Sequence, residues 1–289
     1  MPALAALVLV TAVWGLTFVQ VKDAVALYPL FAFLALRFAI ASIVLAVPAA
    51  RRLRSLGAPG WQAGVALGLL LAVGYALQTA GLERTTVSSA GFITGLYVVF
   101  TPLLALLLFR TRVGAAVWIG VVLAALGLAL LSGVGAGDPL GDALVLGGSA
   151  AYSLQIVLME RYSPRYDPVA FTQAEMLAAF GGFAVVAIAL GQIELPRGWT
   201  VWGALLVTGI FASALGFLVQ TWAQQRTSAT RTALAFALEP VFAGIFGFWL
   251  AGDRLGAIGW AGCAVIMTGI VVAEPEAGRT LRRLVGRGV

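Results

Sequence analysis

The sequence predicts an all-α integral membrane protein, with ten transmembrane helices arranged as two inverted five-helix halves. Three observations point there. Of 289 residues, 61% are hydrophobic and only 10% are charged, against roughly 45–50% and about 25% in soluble domains. Lipid must therefore solvate much of the surface. Apolar stretches long enough to cross a hydrocarbon core of about 30 Å recur along the chain with very short breaks. The second half of the sequence also repeats the first at a nearly constant offset.

The spans fall at 2–21, 29–49, 61–82, 87–109, 114–133, 141–159, 168–190, 199–223, 230–251 and 256–273. The first reads as a membrane span and not as a cleaved signal, since no basic stretch precedes it and its apolar run is too long. Glycine, proline or charge clusters separate the others, among them Arg51-Arg52-Leu53-Arg54, Gly135-Ala136-Gly137-Asp138-Pro139 and Ser163-Pro164-Arg165. Continuous apolar runs, not ten-residue alternations, argue against a transmembrane β-barrel. With a cytoplasmic N-terminus, the inner loops carry Arg51, Arg52, Arg54, Arg110, Arg112, Arg161, Arg165, Arg226 and Arg231, and the tail adds Arg279, Arg282, Arg283 and Arg287. The outer loops carry Lys22, Arg84, Arg197 and Arg254, while Arg37 lies within a span. That bias predicts both termini on the cytoplasmic side of a bacterial-type inner membrane. It also turns the net charge of +6 into an orientation signal and not a nucleic-acid footprint.

The chain has no histidine and one cysteine, Cys263. His-ligated metals, His-based catalysis and intramolecular disulfides are excluded, and neither a cofactor nor a metal is called for. No Gly-x-x-x-x-Gly-Lys-Ser/Thr motif occurs, and Lys22 is the sole lysine, so the chain does not hydrolyse ATP by a P-loop.

Shifted by 142 residues, Gly74, Gln78, Thr79, Arg84 and Thr85 fall on Gly216, Gln220, Thr221, Arg226 and Thr227. The same shift places Arg112, Gly114, Ala115, Trp118, Gly120 and Gly127 on Arg254, Gly256, Ala257, Trp260, Gly262 and Gly269. Nearer the start of each half a shift of 138 puts Trp14 and Leu16 on Tyr152 and Leu154. The halves are 1–137 and 138–273, followed by a basic tail, 274–289. Five spans per unit is an odd number, so the second unit enters the membrane from the opposite side. Inverted repeats of this kind build many secondary transporters, in which two similar halves exchange conformations around one central site.

These features together resemble the EamA family of the drug/metabolite transporter superfamily. The first span matches through Ala12-Val13-Trp14-Gly15-Leu16-Thr17-Phe18, and the second through Leu36-Arg37-Phe38. The fourth matches through Gly91-Phe92-Ile93-Thr94-Gly95-Leu96-Tyr97-Val98-Val99-Phe100-Thr101-Pro102-Leu103. The ninth adds Leu238-Glu239-Pro240-Val241-Phe242, followed by Gly252-Asp253-Arg254-Leu255-Gly256. The resemblance covers almost the whole chain. It implies a basket-like bundle with 5+5 inverted symmetry and a central cavity, and within the family it is nearest to YddG-type exporters of aromatic amino acids. One local departure is that Pro102 lies a turn beyond Val98, the position matching Pro240. Hinges at Pro102 and Pro240 would then sit at different depths.

Polar and aromatic side chains on one face of a buried helix serve either as packing glue or as a cavity wall. Thr94, Tyr97 and Thr101 form one such stripe on the fourth span, and Tyr152, Gln155 and Met159 another on the sixth. The third offers Gly74, Tyr75 and Gln78; the eighth, Phe217, Gln220 and Gln224; the first, Trp14 and Phe18. Similar stripes at comparable depth on five helices favour a shared cavity with aromatic walls, amides and hydroxyls, suited to a flat apolar body with a polar head. Glu239, beside Pro240 near mid-membrane, is a candidate for a substrate ammonium or a proton, or else for a hydrogen bond to a neighbouring helix. Arg37 and Glu175 lie at nearly equal depth and are expected to pair across the symmetry axis, or Arg37 to snorkel to the interface. Gly60, Gly64 and Gly68, and Gly256, Gly259 and Gly262, are expected to allow close helix contact within one chain. Trp118 and Trp260 read as interfacial anchors, and Cys263 as a small apolar filler.

The leading reading is a secondary exporter of small organic solutes, aromatic or other hydrophobic amino acids above all, working as a monomer in a lipid bilayer without nucleic acid. Alternatives on the same fold are lipophilic cations, drugs or other metabolites. Nucleotide sugars fit less well, because a pyrophosphate wants several basic groups. An embedded enzyme would need convergent acids and bases that two isolated glutamates do not supply. A scaffold would need neither repeat nor cavity.

Overall fold

The computed structural model describes residues 2–85, 87–132, 138–246 and 256–273. The tail from 274 and the expected 252–254 loop lie outside the described residues. Thirteen α-helices follow one another: α1 (Pro2–Val25), α2 (Leu30–Ala49), α3 (Gly57–Arg84), α4 (Val87–Gly95), α5 (Tyr97–Phe109), α6 (Ala115–Ser132), α7 (Pro139–Tyr162), α8 (Pro168–Ala189), α9 (Trp199–Leu206), α10 (Gly216–Gln224), α11 (Ala229–Phe236), α12 (Glu239–Phe246) and α13 (Ala257–Ala273). A π-helical stretch, Val207–Leu215, joins α9 to α10 in one rod. No strand occurs among the described residues. Among the described residues seven rods are long and apolar enough to cross a membrane, and Ala115–Leu130 and Ala257–Ala273 are shorter apolar helices.

Several starts are written locally. Asp138 accepts from the Leu140 N–H and Asp167 from those of Val169 and Ala170, with Pro139 and Pro168 as first helical residues whose missing N–H costs no bond. Ser228 caps α11 in the same way. Polar contacts then sort the turns to two ends of the bundle. At one end Lys22 donates to the Thr85 carbonyl, Thr85 and Ser89 donate to Asp142, and the Tyr28 hydroxyl donates to the Glu194 carbonyl. At the other, Arg52 pairs with Asp167 at 3.3 Å and Gln225 donates to the carbonyls of Ser163 and Tyr166.

Packing depends on small residues, because lipid provides no hydrophobic drive between helices. The stripe of Gly60, Gly64 and Gly68 on α3 lies against the start of α8 within the same chain, as expected. A Cβ at Gly60 would meet the Tyr166 ring at 2.9 Å, and one at Gly64 the Ala174 Cβ at 2.7 Å. Between α6 and α13, a Cβ on Gly120 would meet the Gly269 carbonyl at 2.5 Å, and one on Gly127 the Gly262 carbonyl at 2.7 Å. Gly256, by contrast, faces open space. Leu9, Val47, Leu107, Val185 and Ile258 point outwards, an apolar surface that lipid would cover. Trp260, near the start of α13, is 45% exposed, while Cys263 is buried with a free thiol.

The long fourth and ninth segments are both interrupted. The first break falls at Leu96, whose N–H turns back to the Ile93 carbonyl. The second falls at Ala237 and Leu238, where Leu238 N–H turns back to the Ala235 carbonyl. Leu96 and Leu238 are 142 residues apart, so the interruptions fall at positions matched by the repeat, against the expectation that the displaced Pro102 would separate them. Pro240 occupies the first turn of α12, where no helical bond is lost. Pro102 lies inside α5, and the break beside Gly95 precedes it by more than a turn.

Candidate functional site

The structure encloses a cavity of about 700 Å³, mouth included, between α1, α2, α3, α4, α5, α7, α10, α11 and α12. Eleven of the thirteen residues singled out from sequence line it: Trp14, Phe18, Tyr75, Gln78, Thr94, Tyr97, Tyr152, Gln155, Phe217, Gln220 and Glu239. The other two do not. Thr101 sits a turn below Tyr97, fully buried, its hydroxyl without a hydrogen-bond partner among the described residues. Gln224 lies beneath the cavity floor, donating to the Ile156 carbonyl at 2.8 Å. Helical spacing puts both on the right face, but the cavity is shorter than the stripes.

The walls are a chain of aromatic rings. Trp14 lies 4.8 Å from Phe236 and 5.4 Å from Phe217 between ring centres; Tyr75 lies 5.4 Å from Tyr152 and 6.3 Å from Phe217. Two glycines seat two of these rings. A Cβ on Gly74 would strike the Tyr152 ring at 2.5 Å, and one on Gly216 would meet Trp14 Nε1 at 3.0 Å. Gly74 and Gly216 are matched by the 142-residue shift, Trp14 and Tyr152 by the 138-residue one. The rings are also held by polar tips: Trp14 Nε1 donates to the Ala212 carbonyl at 2.8 Å, and the Tyr152 hydroxyl to Gln78 Oε1 at 2.9 Å. Ala212 belongs to the π-helical stretch, a wound-out turn of the sort that often sits at functional sites.

Two ionisable groups face the cavity. Arg37 is 3% exposed. Its Nε donates to Ser213 Oγ at 2.8 Å and a terminal nitrogen to the Tyr75 hydroxyl at 3.0 Å, with the guanidinium 4.5 Å from the centre of the Tyr75 ring. It therefore neither snorkels nor pairs with Glu175; the π-helical stretch and Tyr75 hold it, and Gln155 holds Glu175 through a 2.6 Å bond. Across the cavity, Glu239 opens α12, where a carboxylate is favoured by the helix dipole. The Tyr97 hydroxyl donates to the Phe236 carbonyl at 2.6 Å and lies 3.2 Å from Glu239 Oε2. Tyr97 and Glu239 are themselves 142 residues apart. The guanidinium keeps donor capacity towards the cavity, and the carboxyl keeps an acceptor.

The lining also includes Thr17, Val21, Leu71, Thr79, Leu82, Ile156 and Phe236, which the stripes do not name, and Arg37, expected in a pair or at the interface. For Thr17 a signal exists: the 138-residue shift carries it onto Gln155. Phe236 lies three residues before Glu239, about one turn, so helical spacing from Glu239 would have found it.

Comparison with known proteins agrees with this architecture. The EamA-like transporter family matches residues 1–133 and again 139–273. A protein of Archaeoglobus fulgidus, named an uncharacterized transporter, is 31% identical over 273 residues, which is 93% of this chain and 84% of its own length. The Escherichia coli (strain K12) protein named uncharacterized inner membrane transporter YedA is 28% identical over 282 residues, covering 94% of this chain and 90% of that one. A protein of known crystal structure, 21% identical, shares the fold with a TM-score of 0.78 over 95% of this chain and 97% of its own.

Proposed function

Because the chain belongs to the EamA-like transporter family, a group of multi-pass membrane transporters and not of enzymes, we propose that it exports aromatic or other hydrophobic amino acids by alternating access. The observation that carries this reading is the cavity itself: aromatic walls with one guanidinium, Arg37, and one carboxyl, Glu239, facing it. Such a cavity suits a zwitterion with a flat apolar body. The rings stack and bury the side chain, Arg37 takes the carboxylate through charge-assisted bonds, and Glu239 takes the ammonium. Lipophilic cations fit less well, since Arg37 would repel them.

The arrangement that goes with this reading is ten spans in two inverted halves, with both termini cytoplasmic. Several contacts support that arrangement. The family matches each half separately. In the α6–α13 pair, Gly120 meets Gly269 and Gly127 meets Gly262, and each of these contacts turns into the other when the 142-residue shift exchanges the halves. A two-fold axis relating the halves would produce that reciprocity. The matched glycine seats and the matched helix breaks follow the same rule. One chain holds the whole cavity, so a monomer suffices. With a cytoplasmic N-terminus, the cavity reaches from Tyr97 towards the outer end, where Val21 and Leu82 line its rim.

The test is uptake by liposomes containing the pure protein, across a panel of labelled amino acids. Phenylalanine or tryptophan should enter faster than alanine or lysine. Absence of uptake across the panel contradicts the reading. In the same assay Glu239→Gln should slow entry of the zwitterion about tenfold, the loss of roughly 1.4 kcal/mol of binding. An unchanged rate and unchanged pH dependence would remove Glu239 from the mechanism.

A further inference from the structure

Beneath the cavity floor lie Glu175 and Gln224, which the open site does not use, joined in one chain of polar side chains to Gln155 and Gln220 of the floor itself. Glu175 is 0% exposed. Its Oε1 accepts from Gln155 Nε2 at 2.6 Å, and its Oε2 has no hydrogen-bond partner among the described residues. Gln155 Oε1 accepts from Gln220 Nε2 at 3.1 Å, Gln220 Nε2 also donates to Gln224 Oε1 at 2.8 Å, and Gln224 Nε2 closes on the Ile156 carbonyl. Gln220 Oε1 is likewise unbonded. Buried polar atoms without partners are costly, and an all-carbon seal would close the bundle at less expense.

The repeat explains why these groups are polar. Glu175 and Gln155 match Arg37 and Thr17 at the 138-residue shift, while Gln220 and Gln224 match Gln78 and Leu82 at the 142-residue shift. All four counterparts line the open cavity. In an inverted repeat the two halves exchange roles, so the walls of one state are the seal of the other. The exchange replaces the guanidinium at the matched position with a carboxyl.

We propose that Glu175, Gln155, Gln220 and Gln224 form a second recognition surface. Its Glu175 and Gln224 are closed off in this conformation behind Gln155 and Gln220, and are exposed when the cavity opens towards the end carrying the Arg52–Asp167 pair. It then accepts a cationic group, the ammonium of the zwitterion. The inference rests on the transporter reading above. It assigns the site opposite charge in its two states: Arg37 at the matched position in one, Glu175 in the other.

The test uses single cysteines in a Cys263→Ser background and two membrane-impermeant methanethiosulfonates, one carrying trimethylammonium and one carrying sulfonate. Thr17→Cys should react from the face bearing the α1–α2 turn, and Gln224→Cys from the opposite face. Glu175 should make the cationic reagent faster at Gln224→Cys by about fivefold or more, and Glu175→Gln should abolish that preference. Arg37 should favour the anionic reagent at Thr17→Cys. If Gln224→Cys does not fold, Thr172→Cys, about one turn before Glu175 on α8 and fully buried in this conformation, reads the same preference. A cysteine at this position that is unreactive from both faces, or indifferent to reagent charge, overturns the proposal, as does the same result at Gln224→Cys. Reaction of the two sites from opposite faces without uptake of any amino acid in the panel would instead retain the second surface and overturn only the substrate.

Discussion

Replacing Gly68 with leucine is expected to destabilise the protein by about 3 kcal/mol, the upper end of overpacking costs. A Cβ there would overlap the Glu175 carbonyl and lie 2.7 Å from the Ala178 Cβ. Backbone cannot yield as a side-chain end can, so α3 and α8 would have to separate along their shared length. That seam also carries Gly60 and Gly64 on one side and Glu175 on the other, and the displacement would spread into the Gln155 bond. Thermal unfolding in detergent reads the loss, with Gly181→Leu as the control. Gly181 lies on the same helix pair, in α8, and a Cβ there meets nothing within 4 Å. Helix propensity favours leucine over glycine at both positions, so an equal loss in the two variants would show that the close seam does not set the cost.

Arg37→Gln is expected to raise the half-saturation concentration for phenylalanine about tenfold or more. Hydrogen bonds to charged groups contribute roughly 1.5–3 kcal/mol, and each 1.4 kcal/mol is a factor of about ten. The variant keeps a donor for Ser213 and removes the charge, so the local packing of Tyr75 is largely retained. Phenethylamine, which lacks the carboxylate, should lose no affinity in the variant and should gain some, because a repulsive cation is gone. Competition against labelled phenylalanine measures both. A parallel loss for phenethylamine would mean that Arg37 holds the cavity together and does not read the carboxylate.

Much of the site is legible in the sequence because a membrane helix shows its polar face plainly. Among Leu, Val and Ala, residues such as Tyr75, Gln78, Tyr152 and Gln220 stand out, and 3.6-residue spacing groups them. The repeat adds depth, since a constant offset alone pairs Gly74 with Gly216 and Gln78 with Gln220. Rotation and length stay hidden. Arg37 and Glu175 sit at one depth, which suggests a pair, yet α2 turns Arg37 to the cavity while α8 turns Glu175 to Gln155. The stripes likewise set no lower limit to the cavity, so they include Thr101 and Gln224 with it. The π-helical stretch leaves no mark in sequence, although it presents both Ala212 and Ser213 to the site. The prolines predict where the helices break, but the first break falls beside Gly95, at the position that the 142-residue shift matches to Leu238, and not where Pro102 stands.

The proposed inverted repeat would have an energetic consequence. A seal made of matched elements can be exchanged at small net cost, because the contacts broken on one side have counterparts to be made on the other. The clasps at the two ends illustrate this. Lys22 donates to the carbonyl of Thr85 after α3, and Glu160, 138 residues on, accepts from the Ala229 N–H that opens α11. Each ties the first helix of a half to the turn joining the third and fourth segments of the same half, and each suits the helix end that it meets.

Trans-stimulation tests the central claim of one site exposed to the two faces in turn. Liposomes holding the pure protein are preloaded with unlabelled phenylalanine, and the initial entry of labelled phenylalanine is compared with that into empty liposomes. Alternating access predicts entry several-fold faster into the preloaded vesicles, because a loaded cavity returns more readily than an empty one. Entry at the same or a lower rate would mean a continuous pore or no carrier cycle, and would contradict the account.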